Sequence, residues 1–154
     1  MKSHLVGLAL VLAARVALGQ RDSEVVLQDM TDADGNRQVF SIARGVAEKL
    51  PDWQPERQNP PLSIAKAMEL AKVAAKKRHP KFDDFKITTI QIHGMNCYPV
   101  IPNKWFYTFD MTPVIDGKSF FGASMWEVVL MDGTVVPPQD KGKSDRAWPK
   151  PPGS

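Results

Sequence analysis

The hydrophobic period of the chain switches at Pro80 from helical to alternating, and no other feature constrains the fold as much. Before Pro80, Leu62 to His79 repeats Ile64, Ala67, Met68, Ala71, Ala74 and Ala75 at helical spacing, with Leu70 and Val73 widening the apolar stripe. Ser63 is placed to cap the helix, and Pro80 ends it by removing an amide donor. After Pro80 the pattern predicts strands over Phe85 to His93, Trp105 to Met111 and Met125 to Met131. Asp132-Gly133 turns the last toward a short return at Val135-Val136. Alternation sends Trp105, Tyr107, Phe109 and Met111 to one face, and it turns Phe106 outward. The alanine-striped helix is the element that can cover that face. The expected architecture is α+β, one main helix packed on an antiparallel sheet of three to four strands in a two-layer sandwich, plus a short N-terminal hairpin.

The hairpin is expected from Val25 to Leu27 and Val39 to Ile42 around the turn residues Asp32 to Asn36, followed by a helical turn over Gly45 to Leu50 that Pro51 stops. A polar linker, Gln54 to Pro61, carries Pro55, Pro60 and Pro61 and marks the clearest internal boundary. From Gln139 to Ser154 prolines, lysines and glycines predict a disordered tail. The expected organisation is therefore a leader over 1–19, hairpin and linker over 20–60, helix-on-sheet over 61–138 and tail over 139–154.

The leader reading rests on Lys2 and His4, the mostly apolar run Leu5 to Leu18, and small residues at Ala17 and Gly19 before a cut after Gly19. Arg15 interrupts the run, and an amphipathic N-terminal helix that stays attached is the alternative. The run is shorter than the ~20 apolar residues of a membrane span. These features predict a secreted or periplasmic protein with no stable span once the leader is gone. Without Lys2 and Arg15, 18 of the 20 basic residues remain against 17 acidic ones, a net charge of +1. That balance does not suggest a nucleic-acid partner. Lys66, Lys72, Lys76, Lys77, Arg78 and Lys81 oppose only Glu69 in their segment, either as a solvated helix face or as a docking patch for an acidic partner.

Reactive residues are few. A single cysteine excludes an intramolecular disulfide framework, and with 3 histidines it leaves little material for a metal centre. No phosphate-cradling glycine loop or nucleophile elbow follows the leader, so no cofactor is expected. Cys97 lies four residues after His93, a pair that would suit a thiol hydrolase; the alternatives are an intermolecular disulfide or a buried thiol. Asp32-Ala33-Asp34-Gly35-Asn36 is similar to a calcium loop, but aligning Gly35 with its sixth position puts Met30 first and Ser41 twelfth, where carboxylates should stand. Asp110 and Glu127 fall on expected strands, on the polar side, as a conceivable acid–base pair. Outward Phe106, loop-borne Phe120 and Phe121 beside Gly117 and Gly122, Trp126 and Cys97 are the candidates for a partner-binding surface, the alternative being a second small cluster packed beneath the N-terminal hairpin.

Pro61 to Ala67 with Ala71 and Ala75, the aromatic strand Lys104 to Phe109, and the hairpin Val128 to Val136 together resemble small exported PepSY-like domains over roughly residues 60–138. The resemblance implies a cystatin-like helix-on-sheet topology and a secreted binding module, with a protein or peptide partner and no catalytic residues. It also implies a sharper possibility, a peptidase inhibitor or propeptide-like regulator. Two segments depart from the pattern: Gly94 to Asn103, and Met111 to Ser124, which is longer than a simple hairpin loop.

Overall fold

The computed structural model describes residues 23–31, 35–96, 100–120 and 124–143. Strands β1 (Glu24–Thr31) and β2 (Asn36–Ala43) lead through a short helix α1 (Arg44–Glu48) to the main helix α2 (Ile64–Arg78). Then follow β3 (Asp84–Gly94), β4 (Trp105–Ile115), β5 (Lys118–Ser119), β6 (Met125–Leu130), β7 (Val135–Val136) and β8 (Gln139–Lys143). All strand pairs are antiparallel. They form two sheets, one of three strands ordered β1-β2-β8 and one of five ordered β3-β4-β6-β7 with β5 on β4.

Helix α2 is built as its sequence dictates. Ser63 caps it, its hydroxyl accepting from the Lys66 amide at 3.2 Å, and Lys76, Lys77 and Arg78 occupy the last turn against the negative end of the helix dipole. Ala67, Ala71 and Ala75, one helical turn apart, are fully buried. Their small side chains let the helix backbone approach the larger residues of the sheet, Tyr107, Phe109, Met111 and Val129. The Tyr107 hydroxyl completes the contact by donating to the Leu62 carbonyl at 2.7 Å. Val73 does not join the stripe as expected: it is 62% exposed, because the helix meets a flat sheet along a narrow alanine line.

The spacing Ile87, Ile90, Ile92 is not strictly alternating, and a bulge explains it. The register between β3 and β4 shifts between Ile87 and Thr89, so Ile87 opposes Met111 while Ile90 and Ile92 oppose Phe109 and Tyr107. One extra residue on β3 returns all three isoleucines to the helix side of the sheet and sends Thr89, Gln91 and His93 to the other.

That other side corrects the two-layer expectation. The N-terminal hairpin exists, but it gains β8 and packs its inner face on the larger sheet. Phe106, Val128, Leu130 and Val136 meet Val25, Leu27 and Phe40 from the smaller sheet, with Ala47, Leu50, Met95 and Ile101 filling the end. The order is helix, five-stranded sheet, three-stranded sheet. Phe106, expected to face outward, is 3% exposed in this second core. Gln139–Lys143, expected as the start of a disordered tail, is strand β8, its Val39↔Gln139 and Asn36↔Lys143 pairings fixed on β2. The side-chain amide of Gln139 also donates to Glu24 Oε1 at 3.1 Å and to Ser41 Oγ at 2.8 Å, tying the late strand to the early hairpin. The expected leader, the calcium-like Asp32 and Asp34, and the end of the tail lie outside the described residues.

Burial of Phe106 has a measurable cost when removed. Phe106→Ala should destabilise the protein by about 3–5 kcal/mol in urea titration, the range for a large core aromatic. An outward-facing ring would change stability by about 0.5 kcal/mol or less.

Candidate functional site

A groove of about 580 Å³ opens beside the first residue of β4. Trp53, Gln54, Pro55, Glu56 and Arg57 form one wall; Asn96, Val100, Pro102 and Asn103 form the other, with Trp105 between them. The first wall is the segment read from sequence as a polar linker. Pro51 and Pro55 deny it a place in a ladder, and it is fastened instead by individual bonds. The Trp53 amide donates to the Asn103 carbonyl at 2.9 Å. Lys104, only 8% exposed, donates to the Leu50 carbonyl and pairs with Asp52 at 2.8 Å. The Gln54 carbonyl accepts from the Arg57 and Gln58 amides at 2.9 and 3.2 Å, which curls the chain around Trp53.

The two tryptophans set the character of the groove. Their rings meet edge to face at 5.4 Å and 69°. The Trp105 indole donates to the Trp53 carbonyl at 3.0 Å, and the Trp53 indole donates to the Gln58 carbonyl at 2.9 Å. Both indole N–H groups are thereby committed inside the protein; Trp53 is buried at 6% exposure and backs the groove, and the half-buried Trp105 ring offers apolar surface to an occupant. Polar contact is left to the amide side chains of Gln54, Asn96 and Asn103 and to the charges of Glu56 and Arg57. Trp53 was not singled out in the sequence; a tryptophan bracketed by Pro51 and Pro55 was the available signal, since so large a ring in an extended segment has to find cover.

The described sequence candidates, Phe106, Phe120 and Trp126, do not gather at the groove. Phe106 lies under the smaller sheet, its ring stacked on His93 at 5.3 Å and 23°. Trp126 is half-buried on the same side of the sheet, opposite Asp110. Phe120 stands beyond β5, 58% exposed, its amide held by the Pro113 carbonyl at 2.8 Å. Phe121 and Cys97 lie outside the described residues, and with Cys97 goes the proposed pairing with His93. The His93 Nε2 is 3.0 Å from Thr108 Oγ1 and 3.1 Å from Gln91 Oε1, and burial lowers its pKa, favouring the neutral ring.

Asp110 and Glu127 do not form the polar-side pair considered from sequence. Asp110 opposes Trp126, whereas Glu127 opposes Phe109, so the two carboxylates project from opposite faces of the sheet. Glu127 is fully buried under α2, where the Arg78 guanidinium donates to its Oε1. Its Oε2 and the Arg78 Nε remain without partners. Burial pushes the Glu127 carboxyl up to about 7, and the Arg78 charge only partly offsets that shift.

No group of three or more metal-ligating side chains occurs among the described residues, and no helix among them is long and apolar enough to cross a membrane. No protein-family model, curated protein or solved structure matches the chain.

A carboxyl with a folded pKa near 7 and an ordinary unfolded value near 4.5 binds its proton more tightly in the folded state. Glu127 should therefore cost stability progressively as pH rises from about 4.5 to 7, on the order of 3 kcal/mol in full, with no further change above that window. Urea titrations from pH 4 to pH 8 check this: the downward slope should be present in the wild type and missing from Glu127→Gln.

Proposed function

We propose that the protein is an exported, non-enzymatic binding module that takes an extended peptide segment in the groove between Trp53 and Trp105. The observation that carries this reading is the pair of indoles with both N–H groups satisfied internally, flanked by three amide side chains. Apolar ring surface favours proline or aliphatic side chains, and amides match a peptide backbone because each carries both a donor and an acceptor. A volume of about 580 Å³ lies within the ~300–1,000 Å³ of ligand pockets, room for a few residues. Extended proline-containing segments suit such a site further, since they lose little conformational entropy on binding.

Export is supported by the leader pattern of residues 1–19. The PepSY-like, cystatin-like resemblance of the helix and strands supports a binding rather than a catalytic role. It is the ground for the narrower reading as a peptidase inhibitor or propeptide-like regulator.

An array of short proline-containing peptides, with binding followed by tryptophan fluorescence, tests the groove. Val100 lines it and is 57% exposed, so Val100→Asp adds charge and a desolvation cost there without disturbing a core. Binding should fall about tenfold or more, the factor for roughly 1.4 kcal/mol, while the thermal midpoint stays unchanged. Peptide affinity unaltered in this variant would sink the assignment, and a flat panel of peptidase assays would remove the inhibitor reading alone.

A further inference from the structure

A second cleft, of about 150 Å³, lies on the side of the larger sheet that faces the smaller one, lined by Met30, Thr89, Gln91, Thr108, Asp110 and Trp126. It exists because of the β3 bulge, which turns Thr89 and Gln91 toward this side opposite Asp110 and Thr108. Beyond them the aromatic and aliphatic filling of the second core stops, and polar residues take over. Asp110 is the one charged residue of the lining, and its Oδ1 is buried with no hydrogen-bond donor facing it. Such an oxygen calls for a donor, since leaving it unmatched costs more than a typical hydrogen bond returns. Two basic groups of the flanking strands are engaged elsewhere. His93 Nε2 is held between Thr108 and Gln91, and the Arg37 guanidinium makes a paired contact with Asp29 at 2.8 and 2.5 Å.

Trp126 stands directly across from Asp110 on β6. Side chains of such opposed residues rise from Cβ atoms about 5 Å apart on one face, so an indole and a carboxylate share the cleft. An aromatic ring and an unmatched carboxylate together select a cation, by the ring quadrupole on one side and a charge-assisted hydrogen bond on the other. The Met30 thioether adds apolar wall suited to an alkyl stem. About 150 Å³ matches a benzene-sized guest, hence one side chain rather than a peptide. We infer that this cleft binds a primary ammonium carried on an alkyl chain, as in a lysine side chain or a small aliphatic amine. The inference does not rest on the Trp53–Trp105 groove, and the Val100→Asp variant leaves it untouched.

Titration of isotope-labelled full-length protein with N-acetyl-lysine methylamide, n-butylamine and N-acetyl-norleucine methylamide, at ionic strength fixed with NaCl, tests it by nuclear magnetic resonance. Either amine should saturably shift the Trp126 indole and the Thr89 to Gln91 amides. Tighter binding of the lysine derivative assigns the cleft to a protein-borne lysine, and tighter binding of butylamine to a free amine. The uncharged norleucine derivative should bind about tenfold more weakly or less, and Asp110→Asn and Trp126→Leu should each weaken amine binding by a similar factor. Having two variants guards against a folding defect in one. Equal binding of norleucine, displacement of the amine by K⁺ at equal concentration, amine affinity indifferent to both substitutions, or no saturable shift with either amine would each overturn the inference.

Discussion

Strand β4 is the constraint on which the rest of the structure depends. Among the described residues it is the only strand paired along most of its length on both edges, with β3 on one side and β6 on the other, and it is covered on both faces. Phe106 feeds one core; Tyr107, Phe109 and Met111 feed the other. Because side chains alternate strictly along a strand, a slip of one residue would exchange the two cores and bring Thr108 and Asp110 under α2. The paired edges make that slip costly. They also fix the Trp105 end of the strand, from which the Trp53 groove is hung, and the Asp110 position, from which the amine cleft is built.

Much of the larger sheet was legible from residue pattern. The helix cap, the alanine line and the order of strands follow from local chemistry: a serine hydroxyl at an N-terminus, small residues every turn, aromatic alternation, an Asp-Gly turn. What could not be read was which face a second layer would cover. Alternation turns Phe106 away from the helix, and a cluster beneath the N-terminal hairpin is the alternative to exposure; the hairpin's Val25, Leu27 and Phe40 carry no local sign that decides between them. The same applies to β8: Gln139 to Lys143 has no strand-like composition, and its conformation follows from pairing with β2 rather than from propensity. Glu127 was misjudged for a related reason, since a charged residue on a strand is normally solvated. Here a long-range contact with Arg78 accompanies its burial.

The two recesses differ in how visible they were. Its aromatic character marks Trp126 in the sequence, and it does line a cleft, though without Phe106 or Phe120 beside it there. The groove was missed because its walls come from segments read as a linker and an irregular insertion. Buried Lys104 and the bonds to Asn103 give those segments their shape, and neither is a periodic signal.

The route of the chain through Pro137-Pro138 has its own consequence. These residues carry it from the end of the larger sheet to β2 of the smaller one, so the smaller sheet joins strands separated by about a hundred positions. During synthesis the outer edge of β2 therefore has no neighbour until nearly all of the described chain has emerged. Closure of so distant a pair is entropically slow and comes late. A ribosome-bound chain would thus present an open β2 edge to whatever chaperone accompanies it, and the last strand acts as a seal on assembly.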